Sequence, residues 1–345
     1  MRVGSGYDFE VYKYRDIAMA LKEKERSNMK VLITGGAGHI GSHIAERLLD
    51  RGDKVLVIDN YATGRRDNLK PQDNLTIVED TIADTEMVNR VFEEFQPEIV
   101  IHAAASYKDP ENWVEDALTN VVGTANIVKA AKSVGIKRMI YFQTALCYGL
   151  KPLEQPITLT HPYFSGGYSG GSSYAISKTG AELYIELSGL DFISFRLANS
   201  YGPRNLSGPL PTFYSRLTTG RKCFVNDTRR DFIFVKDLVD VVIKAVDGMG
   251  SKGYYHVSSG KDYAIKELFD STLKALNIVL DEEVEVRQRG EDDVYTILLD
   301  PTKINQDFDW YVTTPLEEGV RETIEWYKTH GISQTYTHLK LEDEK

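Results

Sequence analysis

The segment from residue 30 to residue 59 constrains the fold of this chain more than any other. It reads KVLITGGAGHIGSHIAERLLDRGDKVLVID. A short β-branched run opens it, a helical pattern with Ile44, Leu48 and Leu49 follows, and a second apolar run closes it. The pattern predicts two buried parallel strands joined by a helix, with the right-handed crossover typical of such units.

The turn between the first strand and the helix carries three glycines, Gly35, Gly38 and Gly41. Glycines there let the backbone turn sharply and approach a pyrophosphate, whose charge is met by free N–H groups at the helix start. Asp59 ends the second strand, where a carboxylate can accept both ribose hydroxyls of an adenosine and repels a 2′-phosphate. Arg65 and Arg66 could favour the 2′-phosphate, but we expect them to be solvated in the loop beyond. The glycines alone would also fit an ordinary tight turn, whereas strand, helix and acid together predict an NAD site.

The same alternation continues along the chain. Further strands are predicted at 75–79, 98–104, 138–145 and 191–198, with helices at 84–95, near 113–134 and at 174–188. This predicts an α/β fold with a doubly wound parallel sheet of the Rossmann type. Beyond Tyr201 the alternation weakens and a stretch rich in proline and glycine begins. We therefore predict three parts: an N-terminal extension over 1–28, an NAD-binding domain over 29–200 to which 231–260 return, and a smaller C-terminal α/β substrate domain over 201–345.

Charge and cysteine content limit the partners. The formal net charge of -10 disfavours binding to nucleic acid or to an anionic membrane, so an anionic substrate would need local arginines and lysines. Neither of the two cysteines, Cys147 and Cys223, lies in a CxxC pair or beside histidines at metal-ligand spacing. We expect a reducing, cytoplasmic setting, no metal and no membrane span, since no apolar run is long enough to cross a bilayer.

A second glycine-rich stretch, SGGYSGGSSYAISK, occupies residues 165–178. Its composition would fit a flexible linker or a phosphate loop. Because the sheet pattern continues on both sides, we interpret residues 164–173 as a flexible loop that leads into a helix, with Ser172 and Ser173 as N-caps.

The helix that follows this loop carries Tyr174 and Lys178, four residues apart and therefore on the same face. The same spacing recurs at Tyr336 and Lys340 in the polar tail, so the spacing alone does not identify an active site.

Five ordered motifs carry a family resemblance, namely TGGAGHIG, HAAAS, FQTALCYG, YAISK and RLANSYGPR. With them the chain resembles the extended short-chain dehydrogenase/reductases, the nucleotide-sugar epimerase and dehydratase family, over about residues 29–330. It is most similar to the branch found in bacterial O-antigen and other surface-polysaccharide gene clusters, on the segments AASYKDPENW, FQTALCYG and YTHLKLE.

The resemblance implies roles for individual residues. Tyr174 would be the catalytic base, Lys178 its electrostatic partner and Thr144 the third, hydroxyl-bearing member. The implied contacts to NAD come from Gly35, Gly38, His39, Ile40, Gly41, Asp59, Asn60, Thr81, Ile82, Ala103, Ala104, Ala105, Asn120, Tyr174 and Lys178. The implied contacts to a nucleoside diphosphate sugar come from Lys108, Thr144, Asn199, Arg230 and Arg289.

The residues just after Thr144 discriminate among the family's reactions. Where 4,6-dehydratases carry an Asp-Glu pair and decarboxylases usually a glutamate, this chain has Ala145 and Leu146, which cannot move a proton. The resemblance therefore implies C4 epimerisation of a UDP-sugar, acetamido and uronic or uronamide forms included. The alternatives are C3 or C5 epimerisation, dehydration, net oxidation, or a non-catalytic NAD sensor. Cys147 could serve as an acid in a C3 or C5 epimerase, but its offset by one residue favours a packed, inert thiol.

The substrate side departs from the family pattern at two places. Arg287 and Arg289 compete for the place of one family arginine, and Thr81 stands beside Asp80 where relatives place an aspartate near the adenine. Arg230 could instead pair with a neighbouring aspartate, Asp231 or Asp237.

The helical segments near 113–134 and 174–188 correspond to those that form a four-helix dimer interface in relatives, which implies a homodimer. Their apolar positions could also pack within one subunit.

Overall fold

A computed structural model of the protein describes residues 28–165, 167, 172–290, 294–332 and 334–336. Residues 1–27 of the predicted N-terminal extension lie outside this range. So do residues 166 and 168–171 of the predicted flexible loop, and Lys340 of the second Tyr/Lys pair.

Seven parallel strands form the central sheet. They are β1 (Lys30–Thr34), β2 (Lys54–Ile58), β3 (Leu75–Val78), β4 (Ile99–His102), β5 (Arg138–Thr144), β6 (Phe192–Leu197) and β7 (Gly253–Val257). Their spatial order is β7-β6-β5-β4-β1-β2-β3, and every neighbouring pair is parallel. The doubly wound α/β fold predicted from the sequence is confirmed.

Helices cover both faces of this sheet. They are α1 (His39–Asp50), α2 (Thr85–Phe95), α3 (Thr124–Val134), α4 (Ser173–Leu187) and α6 (Val235–Val246), whereas α5 (Pro209–Thr218) belongs to a separate layer. On one face, Ile44 of α1 and Leu238 of α6 belong to a single buried cluster with the strands. On the other face, Phe92 of α2, Ile127 of α3 and Ile185 of α4 form the second cluster. These two layers bury the central strands on both sides, which is why β1, β2 and β4 are almost continuously apolar.

The predicted helix near 113–134 is divided into three parts. A helical turn at Trp113–Asp116 is followed by a π-helical stretch at Ala117–Gly123 and then by α3. Gly123 packs closely on Ile82, where an added Cβ would lie 2.6 Å from the Ile82 Cγ1. The π-helical stretch thus brings a glycine against the neighbouring loop, a local deviation of the kind that often accompanies functional sites.

A smaller helical layer follows the sixth strand. Besides α5 it contains α7 (Ile265–Leu276) and α9 (Leu316–His330), whereas the short α8 (Thr302–Phe308) packs back on β7 and the first buried cluster. Short strand pairs join Asn199–Tyr201 to Phe232–Phe234, Arg229–Arg230 to Tyr263–Ala264, and Phe224–Asn226 to Glu285–Arg287. Phe213, Phe269 and Tyr327 belong to its own apolar cluster.

The carboxyl ends of the central strands meet at one edge of the sheet. Thr34 is in register with both Ile58 and His102, and Thr144 is in register with Leu197. Ligands of open parallel sheets bind at this edge, so the fold itself indicates where to look for a site. In the ranges that the structure describes, no helix is long and apolar enough to cross a bilayer.

Candidate active site

A cavity of about 1120 Å³ opens above the carboxyl ends of β1, β2, β4 and β5. The glycine turn forms one end, and residues of the helical layer after β6 form the opposite wall. Its volume lies just above the usual range for ligand pockets, about 300–1,000 Å³.

The glycine turn leaves no room for side chains. An added Cβ at Gly35 would lie 2.7 Å from the Cα and the backbone nitrogen of Ala104, and one at Gly41 would collide with the carbonyl oxygen of Gly35. Gly35 also has a φ of +68°, which disfavours other residues. Helix α1 begins directly after Gly38, and its first N–H groups lack intrahelical partners. This backbone cradle can therefore receive a pyrophosphate at the start of a helix.

Asp59 lies at the end of β2 beside the glycine turn. Its Oδ2 accepts the N–H of Ala37 at 2.8 Å and its Oδ1 accepts the N–H of Tyr61 at 2.8 Å. Burial raises the pKa of this carboxyl above its ordinary value, and the two backbone hydrogen bonds oppose that shift. The bonds fix the carboxylate in one orientation, and its remaining lone pairs can accept ribose hydroxyls.

Arg65 and Arg66 both form ion pairs on the surface nearby. Arg65 pairs with Asp67 at 2.6 Å and Arg66 with Glu79 at 2.5 Å. Each guanidinium is thus already matched to a carboxylate, which leaves Asp59 to determine the charge beside the ribose position.

His39 joins the start of α1 to the strand Asn199–Tyr201. Its Nδ1 lies 3.0 Å from the carbonyl oxygen of Pro203, so that nitrogen is the donor, and its Nε2 lies 3.2 Å from the hydroxyl of Ser200. Burial lowers the pKa of His39 to about 3, so the ring is neutral. These two contacts connect the start of α1, at the glycine turn, to the chain around Ser200 and Pro203.

The other predicted NAD contacts separate into two groups. Those that line the cavity are Ile40, Asn60, Thr81, Ile82, Ala103, Ala104 and Ala105. Asn120 is buried outside the lining, where it accepts the N–H of Ser106 at 2.8 Å and donates to the Ser177 hydroxyl at 2.9 Å. The Asn120 amide therefore joins the loop after β4 to helix α4, which carries Tyr174 and Lys178.

Thr144, Tyr174 and Lys178 are brought together at the cavity wall. Thr144 ends β5, and its Oγ1 accepts the N–H of Leu146 at 3.2 Å. Tyr174 lies in the first turn of α4, after Ser172, whose hydroxyl caps the helix by accepting the N–H of Ala175 at 3.1 Å. Capping at Ser172, predicted from the sequence, fixes the start of the helix that presents Tyr174 and Lys178.

Burial acts on these two titratable groups in opposite senses. It is the largest cause that raises the pKa of Tyr174 above its ordinary value, followed by the charges of Tyr107 and Asp116. It lowers the pKa of Lys178 from 10.5 to about 7, opposed by Glu182. A tyrosine that works as a base near neutral pH needs the reverse shift, so positive charge close to the Tyr174 hydroxyl is essential.

Asp116 and Tyr107 are cavity residues that sequence reasoning missed. Asp116 is only 1% exposed and accepts the Ser106 hydroxyl at 2.9 Å. The ring of Tyr107 meets that of Tyr174 edge to face at 6.3 Å. The sequence could have indicated Asp116 by its position four residues before Asn120, because this spacing places both residues on one side of a helical segment.

Three of the predicted sugar-diphosphate contacts line the cavity together with Thr144. They are Lys108, Asn199 and Arg230. Arg230 donates to the carbonyl oxygens of Arg229 at 2.7 Å and Val294 at 3.0 Å. Asp231 and Asp237, the alternative partners, accept hydrogen bonds from Ser258 and Thr313 at 2.6 and 2.7 Å.

Arg289 and Arg287 lie outside the residues that line the cavity. The Arg289 guanidinium is 5.6 Å from the centroid of the Tyr295 ring. Arg287 pairs with Glu285 at 2.9 Å and lies 3.8 Å from the centroid of the Phe224 ring. Arg216 of α5, which the sequence analysis did not select, does line the cavity and is buried.

Two further side-chain findings bear on the chemistry. Cys147 is fully buried, and this burial raises the pKa of its thiol, so it is an unreactive packed residue. Among the described residues, no three or more His, Cys, Asp or Glu side chains are grouped to hold a metal ion.

The chain is similar to proteins of a known family and to solved structures. The family model described as the NAD dependent epimerase/dehydratase family matches residues 31–258. The Bordetella bronchiseptica enzyme WbmH, solved in complex with NAD+, is 54% identical with a TM-score of 0.84, over 88% of this chain and 100% of that one. WbmG of the same organism, solved with NAD and UDP, is 42% identical with a TM-score of 0.83, over 91% and 99%. A UDP-glucose 4-epimerase from Mycolicibacterium smegmatis is 29% identical, over 87% and 99%.

Proposed function

The chain belongs to the NAD-dependent epimerase/dehydratase family, and we propose that it is an NAD-dependent 4-epimerase of UDP-linked sugars. One observation carries the proposal. A single cavity joins the glycine cradle and Asp59 to Thr144, Tyr174 and Lys178, while the residues that follow Thr144 are Ala145 and Leu146. The site thus has one acid/base position and no second group for elimination of water or for decarboxylation.

The residues present fit NAD. Gly35, Gly38 and Gly41 would hold the pyrophosphate and Asp59 the adenosine ribose, with its charge selecting against a 2′-phosphate. Bound NAD supplies reversible redox chemistry at the sugar carbon.

Tyr174 takes the proton from the sugar 4-hydroxyl. It returns the proton to the same oxygen after the transient 4-keto sugar has rotated to present its opposite face. A free phenol titrates near pH 10, so a base that works near neutral pH needs a shift of about 3 units, or roughly 4 kcal/mol in favour of the phenolate. Because burial shifts the Tyr174 pKa the other way, the Lys178 ammonium must supply compensating charge. The Thr144 hydroxyl holds the sugar oxygen by a hydrogen bond.

Arg230 and Asn199 bind the diphosphate and its sugar from the opposite wall of the cavity, and Lys108 contributes from the loop after β4. A guanidinium fork suits phosphate oxygens, and the carbonyl contacts of Arg230 orient its fork. Buried Arg216 is a second cation on this wall. The UDP in the WbmG complex supports uridine as the nucleotide.

We further propose a homodimer. Helix α4 packs beside the segments Trp113–Asp116 and Ala117–Gly123, and the three carry exposed apolar side chains, among them Trp113 and Leu187, 67% and 79% exposed. The others are Val114, Leu118, Val122, Ile176, Leu183 and Tyr184. An exposed apolar face of this kind is typical of a protein interface, and a second copy would bury it in a four-helix contact.

The two free cysteines support a reducing, cytoplasmic setting, and the resemblance of FQTALCYG and neighbouring motifs supports a role in surface-polysaccharide precursor synthesis.

The test of the proposed base is Tyr174→Phe. We expect it to abolish turnover, by at least a factor of 1,000 on general acid–base grounds, while bound NAD is retained. Tyr311→Phe is the matched control, since Tyr311 is 59% exposed and lies outside both the cavity lining and the proposed dimer face. Full activity in Tyr174→Phe would remove the proposed base.

A further inference from the structure

Tyr141 lies directly beside the proposed electrostatic partner of the base. It belongs to β5, three residues before Thr144, and is fully buried. The Lys178 Nζ is 4.1 Å from the centroid of the Tyr141 ring, and the Tyr141 hydroxyl donates to the main-chain oxygen of Lys178 at 2.9 Å. One tyrosine therefore contacts both the charged end and the backbone of Lys178.

Few other groups around Lys178 can stabilise its positive charge. Glu182 of its own helix, Tyr141 of β5 and His102 of β4 interact with Lys178, and Tyr174 lies four residues before it on the same side of α4. Glu182 is the anion among them, but its carboxylate is already paired with Arg196 at 3.0 Å and accepts the Ser194 hydroxyl at 2.5 Å. An ammonium that is desolvated in this way gains most from an electron-rich ring.

His102 holds the Tyr141 ring in place without adding a competing charge. The two rings are stacked with centroids 5.6 Å apart and an interplanar angle of 29°. His102 is itself fixed between the hydroxyls of Thr34 and Thr124, at 2.6 and 2.8 Å. Burial lowers the pKa of His102 to about 3, so the imidazole stays neutral, and burial keeps the Tyr141 phenol protonated by raising its pKa.

We propose that Tyr141 is a positioning residue whose ring keeps Lys178 in the ammonium form beside Tyr174. The inference rests on the proposed function, because it matters only if the Lys178 ammonium serves the Tyr174 phenolate. The ring face acts on charge, whereas the hydroxyl only anchors the helix backbone. The two contributions can therefore be separated by chemistry at one side chain.

The experiment compares Tyr141→Phe with mono-, di- and trifluorinated phenylalanine at position 141, all in the NAD-loaded enzyme. Fluorine withdraws electron density from the ring face with little change in shape, so the folded structure is preserved. The pH profile of kcat/KM is measured for each, with NAD content and thermal unfolding as checks. The same series at Phe92, a buried aromatic of α2 in the same apolar layer as Tyr141, is the control.

We expect Tyr141→Phe to keep the wild-type profile to within about 0.3 pH units, because the ring remains. Each added fluorine should move the alkaline limb to lower pH, by about one unit in total for three, and the Phe92 series should not move it. A flat series at position 141 would overturn the proposal, and so would a full shift in Tyr141→Phe alone. If the series is flat while Tyr174→Phe is inactive, the proposed function stands and only the role of Tyr141 fails.

Discussion

Lys178→Met should make the NAD-free protein more stable while abolishing its activity. Lys178 is 2% exposed, and burial lowers its pKa from 10.5 to about 7. At 1.36 kcal/mol per pKa unit, this shift corresponds to about 5 kcal/mol. At low pH the buried ammonium lowers the free energy of unfolding of the wild type by that amount. Methionine keeps a similar unbranched stem but loses the contact with the Tyr141 ring, worth about 2 kcal/mol when desolvated. The expected net gain is about 3 kcal/mol.

The gain should depend on pH with a definite sign. The folded-state pKa of Lys178 lies below the unfolded value, so the unfolded chain binds more protons between about pH 7 and 10.5. The free energy of unfolding of the wild type therefore rises through this window relative to that of Lys178→Met. The advantage of the variant is complete below pH 7 and should be smaller by about 2 kcal/mol at pH 8.5.

The assay is urea unfolding of both proteins after removal of NAD, at several pH values from 6 to 9.5. Turnover is measured on the same samples with NAD restored. Stabilisation that shrinks as pH rises, together with lost turnover, is the expected result, and it follows the common trade-off between stability and activity at functional sites. If the variant is less stable than the wild type at pH 6, or if the difference between them does not change with pH, the reasoning about the buried ammonium is refuted.

Two further changes test the substrate wall and the assembly. Arg230→Lys should raise KM at least tenfold with NAD content unchanged, because a lysine cannot present the bidentate fork. Arg289→Lys should leave the steady-state kinetics unchanged, because Arg289 lies outside the cavity lining. Equal losses of activity in both variants would contradict the geometry. Leu187→Glu should shift the protein from dimer to monomer in sedimentation velocity, because the variant would bury a charge in the proposed interface. Val279→Glu should leave the dimer intact, because Val279 is 93% exposed and lies outside the proposed interface. A monomeric wild type would rule out the homodimer.

The nucleotide half of the molecule could be predicted from local patterns. The central strands β1, β2 and β4 are short and almost continuously apolar because helices cover both faces, and strands β1 to β6 lie within a residue or two of the predicted ranges. The glycine turn could also be predicted from the sequence, because backbone contacts such as that between Gly35 and Ala104 require glycine.

The opposite wall of the cavity could not be predicted in the same way. Arg216 and Arg289 are both arginines in the C-terminal part of the chain, and nothing local says that one is buried in a helix facing the cavity while the other lies beside Tyr295. The π-helical stretch was missed for a similar reason, since the approach of Gly123 to Ile82 is a tertiary contact. Asp116 acts on Tyr174 only because the helical turn Trp113–Asp116 and helix α4 pack together.

The central claim is that the protein inverts C4 of a UDP-sugar through Tyr174 at the NAD-binding cavity. The most direct measurement is an incubation of the NAD-loaded enzyme with a panel of UDP-sugars in D₂O, including acetamido, uronic and uronamide forms, followed by NMR. We predict interconversion of a C4 epimer pair without deuterium from solvent at any ring carbon. Deuterium at C3 or C5 of the product, or loss of water from the sugar, would contradict the claim.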